Sequence, residues 1–449
     1  MLIFAVVTLI LVLISFKYPQ VSLALFLMAG LLKSLLMFKF GFFRVVDITV
    51  LCAILLLVAM VYSFVKSGGR LKDIISLPLG LYLLLAVLLL LGTQYTSAPN
   101  YGLQKSSRFA TLGLIAFLAP IFFAHNTREI KLMIWILFIV GIVFCMGTII
   151  APQAAVLLQV SETRARFLET NALSTAVQIG VASIIAFIFA IMVHTPKSLR
   201  MASLALIPVM IAAMIITGSR GPFLGMVFTW LIAFFVCRKG TSKAWGPVIT
   251  TIILIAMIVL FIRLPEAFTT RISNMWKGTY EAERAGRTRT ELFSWVIPRI
   301  SERPILGHGT GAYAVDRGGL DIAAYPHNII LELLYEVGLV GAAIGSLFLW
   351  LIFRRWKQAA KFIHLHELDI GTFQIVHIAG LLFLFTLLQA MKSSDIDGNR
   401  IMFFCAGLVV ATFSAVRRIV EEIPLEDEII RGDWQELEEP EFQDAQALY

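Results

Sequence analysis

The strongest constraint on this chain is a series of apolar runs that recurs along almost its whole length. Of its 449 residues, 59% are apolar and 15% are charged, and the mean hydropathy is +0.86. In soluble domains about a quarter of all residues are charged, so this composition excludes a soluble globular protein. A transmembrane helix needs about 20 mostly apolar residues. The sequence therefore predicts an all-α, polytopic integral membrane protein.

Thirteen apolar runs are candidates for transmembrane helices. They lie at about 2–16, 20–38, 46–65, 74–93, 107–124, 131–150, 173–193, 199–217, 221–237, 246–263, 328–353, 374–391 and 401–416. Because the first run is short and close to the second, we expect about 12–13 transmembrane helices. Four regions follow: about ten transmembrane helices in 1–263, a large loop domain in 264–327, further transmembrane helices in 328–418, and a tail in 419–449.

The basic residues are unevenly divided between alternate loops. One set of loops holds 17 lysines and arginines, and the other set holds about nine. The positive-inside rule makes the richer set cytoplasmic, so the loop 264–327 is predicted to be extracytoplasmic. The tail holds eleven acids and Arg431, a net charge of −10, so the rest of the +8 chain carries +18. Such a tail is predicted to be cytoplasmic and disordered.

Basic residues also occur on the predicted outer side, where the topology rule does not require them. Arg220 lies in the turn TGSRGP (217–222), between two apolar runs. A charge at the membrane surface is costly and usually functional, although an arginine that only fixes topology is an alternative. Lys105 and Arg108 end another outer stretch, 94–108, and either contact an anion or are surface charges.

The long loop contains two arginines, Arg287 and Arg289, in the stretch AGRTRT. The next residues, ELFSWVIPRI (291–300), are predicted to form an amphipathic helix lying on the membrane surface. A guanidinium matches phosphate oxygens in a bidentate way, and a helix start attracts anions. The pair therefore suits a pyrophosphate, whereas a solvated charge cluster is the alternative.

Two further segments of this region contain histidines. GHGTG (307–311) reads as a tight turn in which His308 is a second polar group near a site. In AYPHNII, a helix is predicted to begin near Asn328, directly after His327. A histidine at a helix start either caps the helix or acts near neutral pH as a general base.

The helix after His327 also contains two glutamates. If it continues through GLVG, Gly338 and Gly341 lie about 20° and 40° from His327 around its axis. Glu332 and Glu336 then lie about 140° and 180° away. We therefore predict a glycine face below His327 and a buried, structural glutamate pair tied to an arginine or a backbone donor.

The stretch SSDIDGNR (393–400) lies on the same predicted side. Asp395 and Asp397 read either as a motif for a cation with substrate phosphates or as ordinary residues of a polar turn. The turn is the favoured interpretation, so no metal site is predicted.

Four stretches of the sequence resemble, in the same order, the motifs of the O-antigen ligase and O-antigen polymerase superfamily. They are the SRG turn, GRTRTELF, ERPILGHGTGAY, and PHN followed by GLVG. The motifs cover roughly 170–350. One departure is Phe293 at the position of the family's tryptophan, with Trp295 two residues later. This departure leaves Arg287 as an alternative to Arg289 for the family's loop arginine.

The resemblance implies an inverting glycosyltransferase that uses no metal or other cofactor. It implies that Arg220 and Arg289 bind the pyrophosphate of an undecaprenyl carrier, and that His327 activates the acceptor hydroxyl. Lys105 and Arg108 are further candidates for donor contact. His308, Asn328, Gly338 and Gly341 are supporting residues. The expected location is the bacterial inner membrane, with the site facing the periplasm.

The ligase type, with lipid A-core as acceptor, is favoured. A polymerase of lipid-linked repeat units is the alternative, because the shared motifs serve the donor. Transfer to protein is a further possibility, as is a flippase or transporter of lipid-linked sugars. No nucleic-acid partner is expected.

Overall fold

The computed structural model describes residues 13–15, 17–30, 32–33, 47–66, 74–124, 126–150, 152–154, 165–167, 172–238, 291–393 and 395–422. Several sequence predictions concern residues outside these ranges. They are the predicted span 246–263, most of the span 2–16, Arg287 and Arg289, and the tail beyond Glu422.

The main elements of the described residues are fourteen α-helices and a small two-stranded sheet, with a short 3-10 turn at Ile396–Gly398. The helices before the long loop are α1 (Gln20–Leu27), α2 (Ile48–Lys66), α3 (Leu77–Gly92), α4 (Pro99–Phe123), α5 (Thr127–Ile150), α6 (Ala172–Ile191), α7 (Lys197–Ile216) and α8 (Arg220–Val236). The later helices are α9 (291–300), α10 (Tyr313–Asp316), α11 (Ile329–Glu336), α12 (Gly338–Leu365), α13 (Ile370–Ser393) and α14 (Arg400–Glu422). Strands β1 (Pro152–Ala154) and β2 (Ala165–Phe167) pair antiparallel, with Pro152 opposite Phe167.

Length and composition confirm the prediction of an all-α polytopic membrane protein. In the described part of the chain, eight helices are long and apolar enough to cross a bilayer, namely α2, α4, α5, α6, α7, α12, α13 and α14. Two shorter apolar helices, α3 and α8, stand beside them. Large apolar side chains are exposed on the outer helices, as expected for surfaces that face lipid.

Helix α6 is the centre of the bundle, and nearly all of its residues are buried. Small residues let its neighbours approach closely. A Cβ at Gly180 would overlap the ring of Phe385 on α13, and a Cβ at Gly141 on α5 would overlap Ala182. Close contacts at glycine and alanine thus bring α5, α6 and α13 together within the apolar core of the bundle.

The bundle has two chemically different ends. Residues 291–328 lie at one end, which we call the loop end, where Thr310 Oγ1 donates to Leu89 O at 2.6 Å. At the other, the basic end, the Arg418 guanidinium donates to Ala124 O at 3.1 Å. Arginines and lysines collect at that second end, which carries loops that the positive-inside rule predicts to be cytoplasmic. Its members include Arg128, Lys131, Lys197, Arg200, Arg354, Arg355, Lys357, Lys361 and Arg417.

The prediction that residues 94–108 form an outer loop is wrong for most of the stretch. Helix α4 begins at Pro99, and a π-helical turn at Phe109–Gly113 joins its two parts. The early start depends on the distant loop, because the Asp321 carboxylate accepts from Asn100 N and Tyr101 N, each at 2.9 Å. These are two of the N–H groups that a helix start leaves without an intrahelical partner.

The predicted continuous helix through GLVG is also wrong. Helix α11 ends at Glu336, and α12 begins at Gly338, whose φ is +68°. Glycine adopts this left-handed conformation without the steric cost that other residues meet. The break invalidates the expected phase relation between His327 and the glycines at 338 and 341.

The predicted amphipathic helix 291–300 is present as α9, and part of its apolar face packs inward on the protein. Leu292 and Val296 are buried in a small core with Ala312, Tyr313 and Tyr335. The Arg299 guanidinium lies 4.2 Å from the Trp295 ring centroid. The described part of the long loop therefore has a core of its own, next to α11.

At the contact between α4 and α14, the addition of one methyl group should strongly lower the stability of the fold. A Cβ at Gly407 would overlap the backbone carbonyl of Phe117, whereas a Cβ at Gly80 would have no atom within 4 Å. Gly407→Ala should destabilise the fold by about 1–3 kcal/mol through overpacking. The midpoint of thermal unfolding in detergent should fall for Gly407→Ala and not for the control Gly80→Ala. Equal midpoints for the two variants would contradict this packing.

Candidate active site

The segment Pro304–Gly309 joins the two helices at the break. His308 N and Gly309 N donate to Tyr335 O and Glu336 O, at 2.8 and 2.9 Å. On the other side of the break, Leu339 N donates to Pro304 O at 2.8 Å. The segment thus satisfies carbonyls at the end of α11 and an amide at the start of α12, which would otherwise be unpaired.

Gly338 is needed for this approach, because a Cβ there would overlap the backbone of Ile305. The prediction that GHGTG forms a tight turn is confirmed, with φ between +69° and +99° at Gly307, Gly309 and Gly311. The glycines of GHGTG and of GLVG thus allow the close backbone contacts at the helix break. The glycine face predicted below His327 is absent from the described structure. Gly341 contacts the Val337 side chain instead.

His308 is fixed within the loop core. Its ring stacks on Tyr335 with centroids 4.4 Å apart, and Nε2 lies 2.9 Å from Arg299 O. Its Nδ1 lies 3.8 Å from Asp316 Oδ2, and the same carboxylate oxygen accepts from Tyr335 Oη at 2.5 Å. These contacts give His308 a role in positioning the loop against α11.

Lys105 is the centre of a buried ion cluster. Its Nζ lies 2.5 Å from Glu332 Oε1, 2.6 Å from Glu336 Oε1 and 3.0 Å from Asp395 Oδ1. The side chains of Lys105 and both glutamates are at most 1% exposed. Tyr101 Oη donates to Asp395 from the same helix as Lys105. One ammonium thus joins α4, α11 and the turn 395–399.

The cluster settles the positions of several candidate residues. Glu332 and Glu336 are buried partners, as predicted, but their cation is a lysine and not an arginine. The Lys105 ammonium is enclosed by three carboxylates, so its position argues against the predicted contact with a donor. Arg108 remains accessible, with its side chain 43% exposed and Nη1 3.9 Å from Asp397 Oδ2.

The turn that contains Asp395 and Asp397 is stabilised from within the protein. Ile396 N donates to Glu332 Oε1 at 3.1 Å, and Asn399 Nδ2 donates to Asp395 O at 2.7 Å. Burial raises the pKa of Asp395 well above the usual range, and the Asp397 carboxylate adds to the shift. These contacts within the protein describe a structural turn.

The start of α11 presents His327. The Asn328 side chain caps this helix by accepting from Ile330 N and Leu331 N, at 3.0 and 3.1 Å. His327 precedes the cap in the left-handed region, with φ +57°. Left-handed backbone is uncommon outside glycine and clusters at functional sites. The cap and the turn together hold the partly buried imidazole at the helix mouth.

Arg220 is the first residue of α8, and its side chain is exposed at the loop end. Ser219 before it adopts an extended conformation and makes no side-chain cap, and its Oγ donates instead to Ala172 O at 3.3 Å. The N-terminal end of α8 therefore carries a guanidinium on its first residue. This combination favours a negatively charged group.

Helix α13 brings the Arg220 and His327 segments to the same end of the bundle. Near the end of α13, the Gln389 side chain lies against Gly221 and Gly225 of α8. Two residues later, Met391 O accepts from Asn328 Nδ2 at 3.3 Å. The starts of α8 and α11 thus pack against neighbouring positions near the end of one helix. A cation and a titratable base at one membrane surface suit transfer of a group from an anionic leaving group.

Some residues of this region were not found from the sequence. Gln389 belongs to no motif, and its only signal in the sequence is a polar side chain near the end of an apolar run. Tyr325 lies in the quoted motif AYPHN, and its ring contacts His327 with centroids 4.7 Å apart. Asp321, which caps α4, lies more than 200 positions from that helix start. Such long-range partners have no periodic signal in a single sequence.

The ion cluster predicts a severe effect of removing its cation. Lys105→Met should destabilise the protein by about 3–5 kcal/mol, because it leaves buried carboxylates without their partner. Adding Glu336→Gln should recover part of the loss, since it removes one of those charges. The yield of monodisperse protein and the unfolding midpoint in detergent measure both effects, with Arg108→Met as a more exposed control. Full stability of Lys105→Met would contradict the account.

Comparison with known proteins bears on the same region. No curated protein sequence matches the chain significantly. Residues 205–346 match the family model Wzy_C, described as O-antigen ligase. The matched segment spans α7 and α8, the long loop, α11 and the start of α12, and it includes both Arg220 and His327. This segment of the chain is therefore similar to the domain that the family model describes as O-antigen ligase.

Proposed function

We propose that the protein is an inverting glycosyltransferase of the O-antigen ligase type in the bacterial inner membrane. It moves a glycan from an undecaprenyl-pyrophosphate carrier to an acceptor hydroxyl, with lipid A-core as the favoured acceptor. The observation that carries the proposal is the position of the helix starts that bear Arg220 and His327 at the same end of the bundle, within the matched segment 205–346. The distribution of basic residues supports a periplasmic position for that end.

Transfer by this site needs two actions. As the acceptor oxygen attacks the anomeric carbon, His327 takes the hydroxyl proton, and the glycan leaves its carrier with inversion of configuration. The leaving pyrophosphate gains charge as its bond to the sugar breaks, and cations placed there lower the barrier. Arg220 at the start of α8 supplies one cation. Arg289, with Arg287 as alternative, and the accessible Arg108 are the further candidates.

A pyrophosphate-linked sugar already has a good leaving group. The proposed reaction therefore needs a base for the acceptor and cations for the leaving group, and no pair of catalytic carboxylates. The carboxylates at the loop end fit this division of roles. Glu332, Glu336 and Asp395 surround Lys105, so they stabilise the fold around the site.

A polysaccharide polymerase is the second candidate, because the same donor machinery serves a lipid-linked acceptor. A deletion strain distinguishes the two. Loss of a ligase keeps polymerised chains off the lipid A core, whereas loss of a polymerase leaves single repeat units attached. A flippase would instead move the lipid-linked donor across vesicles without transferring its glycan.

The base is tested by replacing His327 with alanine and with asparagine. Asparagine tolerates left-handed backbone better than most residues, so His327→Asn tests the chemistry with less strain at that turn. Loss of a general base should lower the transfer rate by about 10²–10⁴-fold. The assay is glycan transfer from a defined lipid-linked donor by purified protein. His194→Ala, an exposed histidine at the basic end, is the control. Wild-type transfer by His327→Asn would overturn the proposed role.

The cation at the start of α8 is tested by Arg220→Ala and Arg220→Lys. Removing one preorganised donor from a developing charge typically costs about 10²–10³-fold in rate. The lysine variant should retain more activity than the alanine variant, because it keeps the charge but loses the bidentate fork. Arg128→Ala at the basic end serves as the control. Transfer by Arg220→Ala at the control rate would show that this arginine is not part of the site.

A further inference from the structure

A histidine base works best when a third group holds its ring. His327 therefore raises the question of which side chain holds the imidazole. The present inference rests on the proposed function, since it concerns the same base. Asn328 is committed to capping α11, because its side-chain oxygen accepts from two backbone amides of that helix.

Tyr325 has the geometry of such a group. Its ring meets the His327 ring with centroids 4.7 Å apart and an interplanar angle of 71°. This edge-to-face arrangement is one that aromatic pairs prefer. Pro326 between the two is buried and fixes the backbone that sets the angle between the rings. The imidazole thus has a rigid aromatic neighbour on its own segment.

The Tyr325 side chain is also partly buried. Burial raises the pKa of Tyr325, and the carboxylates of Glu332 and Asp397 add to the shift, while Lys105 opposes it. The phenol ring that contacts the imidazole is therefore partly withdrawn from solvent.

We propose that Tyr325 is the positioning residue of the base: its ring contact holds the His327 imidazole in place at the start of α11. An imidazolium forms when His327 takes the acceptor proton. An aromatic ring stabilises that cation more than it stabilises the neutral imidazole. The elements that meet at the loop end carry further charged groups, which are Glu332 on α11, Lys105 and Arg108 on α4, Asp397 in the turn, Lys392 on α13 and Arg220 on α8.

The test compares Tyr325→Phe with Tyr325→Leu in the purified transfer assay, across pH. Tyr325→Phe keeps the ring contact and should stay within about threefold of the wild-type kcat. Tyr325→Leu removes the contact and should lower kcat at least about tenfold, with the donor KM within about twofold. The acid limb of the kcat profile should also move to lower pH, because the imidazolium loses stabilisation. Tyr62→Leu on α2 is the control for the substitution itself.

The outcomes separate this inference from the proposed function. An unchanged acid limb in Tyr325→Leu, a wild-type kcat, or an effect on KM alone would overturn the positioning role. A Tyr325→Phe variant with a kcat as low as that of Tyr325→Leu would also overturn the positioning role, since Tyr325→Phe keeps the ring contact. Wild-type transfer by His327→Asn would overturn the proposed function first. An inactive His327→Asn beside a fully active Tyr325→Leu would overturn only the inference about Tyr325.

Discussion

The contact of the Lys105 ammonium with three buried carboxylates is the interaction on which the loop end depends. The desolvation of so many charges is costly, and only close geometry offsets it. Here the cation comes from α4, two carboxylates come from α11, and the third comes from the turn before α14. The cluster therefore fixes the helix that presents His327 relative to two other parts of the bundle.

A second set of contacts fixes the C-terminal end of α11. The glycine-rich segment 304–311 binds the carbonyls that end α11 and an amide that begins α12. Since α11 has only eight residues, few contacts of its own would hold it in a membrane protein. The ion cluster, the Asn328 cap and the glycine segment together determine where the imidazole lies. The rigidity of the proposed site thus comes from contacts far apart in sequence.

The sequence predicted much of the architecture, because apolar runs and basic loops are direct physical signals of a bilayer. It also predicted a helix start at Asn328 and the structural role of Glu332 and Glu336. It could not predict the break at Gly338, because the residues around the break form a regular helical pattern, and the distant segment 304–309 supplies the alternative hydrogen bonds. The prediction that Lys105 contacts the donor also depended on information that the sequence lacks. A lysine in a polar stretch looks accessible, and only the fold shows three carboxylates around it.

The central claim is glycan transfer from a lipid pyrophosphate by a base and cations at the loop end. The most direct measurement uses purified wild-type protein in liposomes, with a defined undecaprenyl-pyrophosphate glycan, a lipid A-core acceptor, and a chelator of divalent cations. The account predicts a product whose anomeric configuration is inverted relative to the donor, formed at the same rate with and without chelator. Product with retained configuration, or a strict requirement for a divalent cation at Asp395 and Asp397, would contradict it.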